Sequence, residues 1–137
     1  MPFFFIQRKT QLAESDAAGI IHFSNICRYV EEAEHLLLQK EGYAIDLSRP
    51  DALRWPRVRF SASYLRPILP LVTIQVELNP RRLGNSSVTW SWSIWNANRT
   101  EESARGDMKT VCCKWSGGQI QTHPLPEKLR EKLSGRI

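Results

Sequence analysis

The sequence predicts an α+β fold, a long central helix packed on a curved antiparallel sheet, and two observations predict it. Between Glu14 and Tyr43 runs one long helical pattern, in which Phe23, Ile26, Val30, Ala33 and Leu37 recur at spacings of three and four. Beyond residue 56, segment after segment alternates apolar and polar residues with a period of two, as strands with one buried face do. A helix stripe and a sheet face of this kind bury each other in two layers.

The elements follow in order. Met1-Pro2-Phe3-Phe4-Phe5-Ile6 is only briefly apolar, has no charged segment before it and runs at once into Gln7, Arg8 and Lys9. It reads as the start of a strand over 3–12, not as a signal peptide. The helix is expected over 20–41 and ends at Gly42, with Ser24 or Asn25 as caps for a later start. Glu31, Glu32, Glu34, Gln39, Lys40 and Glu41 fall mostly off its apolar stripe. Residues 43–56, with Pro50 and Pro56, connect it to the strands. Val58, Phe60, Ala62 and Tyr64 form one alternating set, Val72, Ile74, Val76 and Leu78 a second, Val88, Trp90, Trp92 and Ile94 a third. Pro67, Pro70, Asn79-Pro80 and Gly84-Asn85 punctuate them. A further strand near 104–115 leads to a hairpin turn at Gly117-Gly118, and Pro126 opens a short terminal helix within Pro124–Leu133. No repeat or linker divides the chain, so one domain over 1–137 is expected. Trp90 and Trp92 belong to the helix-facing side; Trp95, on the other, suits an oligomer contact.

Composition narrows the function. Hydrophobic residues make up 42% of the 137 and charged residues 24%, with no run long enough to span a membrane, which points to a cytoplasmic chain with no membrane role. Nineteen Lys and Arg against 14 Asp and Glu leave +5. No Lys/Arg run, zinc pattern or RNP-like motif accompanies that excess, so nucleic acid is not expected; a phosphorylated small molecule or a plain solvated surface accounts for it. The three cysteines, Cys27, Cys112 and Cys113, make no CxxC pair and read as free thiols, with at least one of the adjacent two in the core. His22, His35 and His123 lack metal-ligand spacing, and no metal is assigned.

One place suggests chemistry. Asp16 sits in the small-residue loop Glu14-Ser15-Asp16-Ala17-Ala18-Gly19, just ahead of the helix. A helix start presents unpaired N–H groups and the positive end of a dipole, which can hold a polarised carbonyl oxygen. A carboxylate beside such donors can attack that carbonyl or activate water against it. For an isolated Asp before a helix, capping is the commoner role.

The stretch Asp16-Ala17-Ala18-Gly19-Ile20-Ile21-His22-Phe23-Ser24-Asn25, followed by Arg28-Tyr29-Val30-Glu31-Glu32-Ala33, resembles the signature of the 4-hydroxybenzoyl-CoA thioesterase family, close to D-x-D-A-x-G-h-h-Y-F-x-N-Y-h-R-W-h-E-x-A-R. Tyr64-Leu65-Arg66-Pro67, Arg82-Leu83-Gly84-Asn85-Ser86-Ser87, Ala104-Arg105-Gly106 and Leu125-Pro126 agree in order and spacing, so the likeness covers nearly the whole chain. It implies the hotdog fold and hydrolysis of an acyl-CoA thioester to free acid and CoA. Asp16 falls on the family's nucleophile or general base, and Phe23 on the position whose backbone N–H polarises the carbonyl. A thiolate leaves readily, so one carboxylate and an oxyanion donor suffice, with no cofactor beyond the CoA of the substrate.

Glu14 stands where the signature has Asp, Ile26 where it has Tyr, Tyr29 where it has Trp and Glu34 where it has Arg. These departures leave Asp16 in place and leave the acyl group open between aromatic and aliphatic. Gly19, His22, Arg81, Arg82, Ser86, Ser87 and Lys109 are the candidates for substrate contacts, the basic ones and the serines for the phosphates of CoA. The resemblance also implies a homodimer or homotetramer with the acyl site between subunits. An acyl-carrier protein could replace CoA as the thiol. Two other functions stay open at this stage: an acyl-thioester dehydratase or hydratase, which needs a histidine paired with an acid, and a non-catalytic acyl-CoA-binding protein.

Overall fold

Every strand pairing in the structure, a computed structural model describing residues 1–137, is antiparallel. β1 (Phe4–Lys9) leads through a 3-10 turn (Leu12–Glu14) to α1 (Ser24–Lys40). Then come β2 (Arg57–Phe60), β3 (Ser63–Tyr64), β4 (Thr73–Leu83), β5 (Ser87–Asn96), β6 (Glu102–Val111), β7 (Cys113–Ser116), β8 (Gln119–Thr122) and α2 (Glu127–Ser134). The sheet runs β1-β4-β5-β6-β2, with β3 extending the β2 edge along β6; β7 and β8 form a separate hairpin. Tyr29, Val30, Ala33 and Leu37 of α1 share one core with Val76, Leu78, Val88, Trp90, Trp92, Ile94 and Met108 of the sheet. The chain thus has the hotdog architecture, one long helix wrapped by an antiparallel sheet. No helix is long and apolar enough to cross a membrane.

Four local expectations need correction. The helix begins at Ser24 rather than near residue 20. Residues 15–21 instead form a small turn, bridged at Ser15 and Ile21, in which the Ile20 carbonyl that would open a helix accepts from Asp16 N–H and Ile21 N–H goes out to the Ile68 carbonyl. Phe23 therefore precedes the helix and is 66% exposed instead of joining the buried stripe.

Glu34 is buried in the core, not on the solvent face. The alternating set 58–64 is broken. Its strand slips register between Arg57 and Arg59 and stops at Phe60, and Val58 and Tyr64 are exposed. Gly106 explains the break: a Cβ there would collide with the Ser61 carbonyl, so only glycine lets the edge chain cross so closely. The strand expected at 104–115 is two strands, divided at Cys112, and both Cys112 and Cys113 are buried.

The first strand is shorter than expected, Phe4–Lys9 rather than 3–12, while the helix stop, the hairpin turn and the terminal helix are found where expected. Gly42 ends α1 with φ +91°, and Gly117 and Gly118 turn β7 into β8 at φ +58° and +80°. Leu129 and Leu133 bury one face of α2, and Arg130 Nη2 donates to the carbonyls of Gly84 (2.7 Å) and Asn85 (3.0 Å), tying α2 to the β4–β5 turn.

Candidate active site

Asp16 occupies the tip of the turn between the 3-10 segment and α1. Its N–H donates to the Ile20 carbonyl (2.8 Å), and its own carbonyl accepts from Gly19 N–H (3.0 Å). Gly19 closes the turn at φ +79°, where a side chain would be strained. One carboxylate oxygen of Asp16 accepts from Ala18 N–H at 2.8 Å. That local bond orients the carboxylate; Asp16 does not cap α1, whose first residue lies eight positions on. The second carboxylate oxygen has no donor from the protein.

The base of the turn is held by Glu14. Its carbonyl accepts from His22 N–H (2.8 Å) and from Asn25 Nδ2 (2.9 Å), the latter in the first turn of α1. Its carboxylate accepts from Tyr29 Oη (2.8 Å), Gln11 N–H (2.8 Å) and Arg8 Nη1 (3.2 Å). The Arg8 guanidinium also lies 4.4 Å from the Tyr29 ring centre. Burial works against ionising Glu14. The Gln11 and Tyr29 hydrogen bonds and the Arg8 charge outweigh it and hold the carboxyl below the usual glutamate value. Burial, followed by the Glu14 hydrogen bond and charge, pushes the Tyr29 phenol far upward, so it stays a proton donor.

The backbone amides where α1 begins are spent unequally. His22 N–H goes to Glu14, Ser24 N–H to the His22 ring (3.2 Å) and Asn25 N–H to the His22 carbonyl (2.9 Å). Phe23 N–H alone in this run has no acceptor within the chain. Phe23 and Asp16 line one cavity of about 460 Å³, with Ile20, Ile21, Ile26, Tyr64 and Ser103 among its other walls. Leu65, Arg66, Pro67, Ile68 and Ala104 complete a mostly apolar lining. Asp16, with one carboxylate oxygen free of protein donors, and Phe23, with its N–H unspent, thus line the same mostly apolar pocket, a pairing that suits attack on a polarised carbonyl.

A second cavity, of about 340 Å³, gathers Arg81, Arg82 and Lys109 with Arg59, Ser61, Thr89, Asp107 and Met108. Strand register assembles it: Arg59 lies opposite Lys109, Lys109 opposite Thr89, and Thr89 opposite Arg82. Arg81 is paired with Asp107 at 2.7 Å; the structure gives Arg59, Arg82 and Lys109 no acidic partner. No cluster of His, Cys, Asp and Glu has the makings of a metal site.

Of the sequence candidates, Asp16 and Phe23 meet in the first cavity and Arg81, Arg82 and Lys109 in the second. Gly19 shapes the Asp16 turn without lining either. His22 also lies outside both: its ring packs on Phe23 with centroids 4.6 Å apart, and its Nδ1 meets Ser24 Oγ at 2.8 Å, so it has no acid partner. Ser86 and Ser87 enter neither cavity. They belong to the β4–β5 turn, where the Ser86 carbonyl accepts from Cys112 N–H (2.7 Å) and the Ser87 carbonyl from Gly84 N–H (2.9 Å). Sequence reasoning did not single out Arg59 or the Tyr64–Ile68 wall as site residues. Register with Lys109 brings in the first, and β3 pairing with Ala104 of β6 brings in the second.

Comparison with known proteins shows the family and the fold. The sequence profile of the Thioesterase superfamily matches residues 18–103. A protein of Aquifex aeolicus, named only provisionally as an esterase, is 30% identical over 133 residues, 97% of this chain and 98% of its own. A 1,4-dihydroxy-2-naphthoyl-CoA hydrolase of Parasynechococcus marenigrum is 31% identical over 86 residues, 57% of each chain. The solved structure of a 1,4-dihydroxy-2-naphthoyl-CoA thioesterase from Synechocystis superposes with a TM-score of 0.80 at 22% identity, covering 96% of this chain and 95% of that one, which shows the shared fold.

Proposed function

The chain belongs to the Thioesterase superfamily and is a thioester hydrolase; from that premise we propose that it cleaves an acyl-CoA, with Asp16 as the reacting carboxylate and Phe23 N–H as the oxyanion donor. The observation that supports this reading is the cavity lined by both residues: Asp16, which has a carboxylate oxygen without a protein donor, and Phe23, which has the one unspent amide at the helix start.

The acyl carbonyl oxygen accepts from Phe23 N–H as it gains negative charge, at the positive end of the α1 dipole. Asp16 either attacks the carbonyl carbon, forming an acyl-aspartyl anhydride that water then hydrolyses, or takes the proton from a water that attacks directly. Either route expels CoA thiolate, which needs no strong acid to leave, and consumes one water to give acid and thiol. The cationic cavity fits the phosphates of CoA. Along β6 the two sites lie at Ser103–Ala104 and Met108–Lys109, five residues or about 17 Å apart, a span suited to an extended pantetheine arm. The apolar lining and the naphthoyl-CoA relatives favour an aromatic acyl group. Phe23, Tyr64 and Leu65, at 66%, 54% and 44% exposure on the first cavity, favour a site closed by a second subunit of a dimer or tetramer.

The test is thiol release from a panel of aromatic and aliphatic acyl-CoA esters, each compared with the same acyl group on pantetheine. Hydrolysis of the CoA esters is expected, with KM raised for the pantetheine esters, and Lys109→Ala is expected to raise KM for the CoA esters only. Release from no acyl-CoA overturns the assignment. Equal KM on both carriers removes the phosphate role of the basic cavity.

A further inference from the structure

We infer that Glu14 is a positioning residue for Asp16, fixing the base of the turn that presents the reacting carboxylate to the cavity. The inference rests on the reading of Asp16 as the reacting group.

Residue 14 is bonded to the elements that flank Asp16 and Phe23: β1, the 3-10 segment and the start of α1. Its carboxylate joins β1 through Arg8, the 3-10 segment through Gln11 and the second turn of α1 through Tyr29. Its carbonyl joins His22 and Asn25, which flank Phe23 and Ser24 at the helix start. Asp16 lies two residues after Glu14 and Phe23 lies one residue after His22. The hydrogen bond from His22 N–H to the Glu14 carbonyl therefore couples the reacting carboxylate to the proposed oxyanion donor through two short lengths of backbone.

A shift of Glu14 moves both catalytic groups relative to each other. The network has two outer supports. Arg8 is also paired with Glu32 at 3.2 Å, and Tyr29 is fully buried, so neither can follow a displaced carboxylate outward. A positioning device of this kind acts on the transition state more than on substrate affinity, because Tyr64–Ile68, Ser103 and Ala104, which make up much of the cavity wall, lie outside the turn that Glu14 anchors.

The two positions are also two of the four departures from the family signature, at which Asp and Trp are the usual residues. Here a longer acid meets a phenol, and the pair is in direct contact.

The experiment is a double-mutant cycle of Glu14→Gln and Tyr29→Phe, with Asp16→Asn as control and melting temperature measured for each. Each single variant is expected to lower kcat by about 10- to 100-fold with KM within about twofold, and the double variant to fall no further than the worse single one. If either single variant instead keeps wild-type kcat, or loses activity only in proportion to its folded fraction, Glu14 is structural and the inference fails. Fully additive effects also overturn it, because the two groups then act separately. If Asp16→Asn itself retains turnover, the underlying reading of Asp16 fails instead, whatever the cycle shows.

Discussion

Glu34 and Trp90 are hydrogen-bonded across the interior of the protein, the carboxylate on the third turn of α1 and the indole N–H at the centre of β5. Thr110 Oγ1 on β6 donates to the same carboxylate at 2.7 Å, and Arg57 Nε on the edge strand β2 donates at 2.8 Å. Glu34 is 1% exposed. One charged side chain therefore links the helix to three strands, and it is tolerated there because each lone pair it turns inward finds a donor.

Removing that carboxylate leaves an indole N–H and a hydroxyl without their acceptor and the part-buried Arg57 guanidinium with Glu31, at 3.4 Å, as its remaining acidic partner. Glu34→Leu is expected to destabilise the fold by about 3–5 kcal/mol, and Glu34→Leu with Arg57→Met by clearly less, because the second change removes the poorly compensated charge. Urea unfolding of the three proteins measures this. Equal losses in the single and double variants would show that Arg57 is solvated well enough not to depend on Glu34.

Asp16→Asn keeps the size of the side chain and its Oδ1, so the turn bond from Ala18 N–H survives. Folding and substrate binding should persist while kcat falls by about 10²–10⁴-fold. After many turnovers of the unaltered enzyme in oxygen-18 water, the peptide carrying residue 16 separates the two roles. Label in its carboxylate marks attack by Asp16, whereas general-base catalysis leaves it unlabelled.

The acid side of the stability profile has a named contributor on the other face of the sheet. Glu77 is 1% exposed and accepts from Gln75 Nε2 (2.7 Å), Arg99 Nε (2.6 Å) and Arg99 Nη2 (3.0 Å). Burial opposes its ionisation, but the bonds from Arg99 and Gln75 prevail and hold its carboxyl below the model-peptide value of 4.5. A group whose value is lowered on folding contributes stability that is complete above the unfolded value and is lost as pH falls through the folded one. Glu77→Gln should therefore lower Tm at neutral pH, and the gap to the unaltered protein should narrow as pH is taken below 4.5. A gap that stays constant with pH would mean that the charge of Glu77 contributes nothing.

The fold was legible because its signals are periodic and local: spacings of three and four for α1, alternation for β4 and β5, paired glycines for the β7–β8 turn. Asp16 and Phe23 were singled out by the likeness of one short segment to a family signature, whereas periodicity alone put Phe23 in the buried stripe, where it is not. What escaped is what distant pairing creates. Glu34 beside an apolar stripe reads as a solvated position, and only Trp90 and Thr110, 56 and 76 residues away, explain its burial. Arg59 reads as the outward residue of a strand until register sets it opposite Lys109. Tyr64 and its neighbours read as a strand end, and become a cavity wall only through β3 pairing with β6.

The three thiols differ in a way that a simple titration can read. Cys112 has no exposed surface, and burial, with a smaller contribution from Cys113, pushes its thiol up to about 11. Cys113 is 6% exposed and is raised by burial as well. Cys27 lies on the open side of α1, exposed, with its Sγ directed at the Ser24 carbonyl at 3.1 Å. A thiol reacts as thiolate and only where reagent can reach it, so the folded protein should consume one equivalent of a disulfide reagent at pH 8 and the denatured protein three. Cys27→Ser should abolish the fast equivalent. Because Cys27 follows Ile26, which lines the first cavity, a saturating thioether analogue of acyl-CoA (neither hydrolysed nor carrying a free thiol) that leaves its labelling rate unchanged would place the outer face of α1 outside the substrate's reach, whereas protection would mean that the bound ligand or a second subunit extends over it.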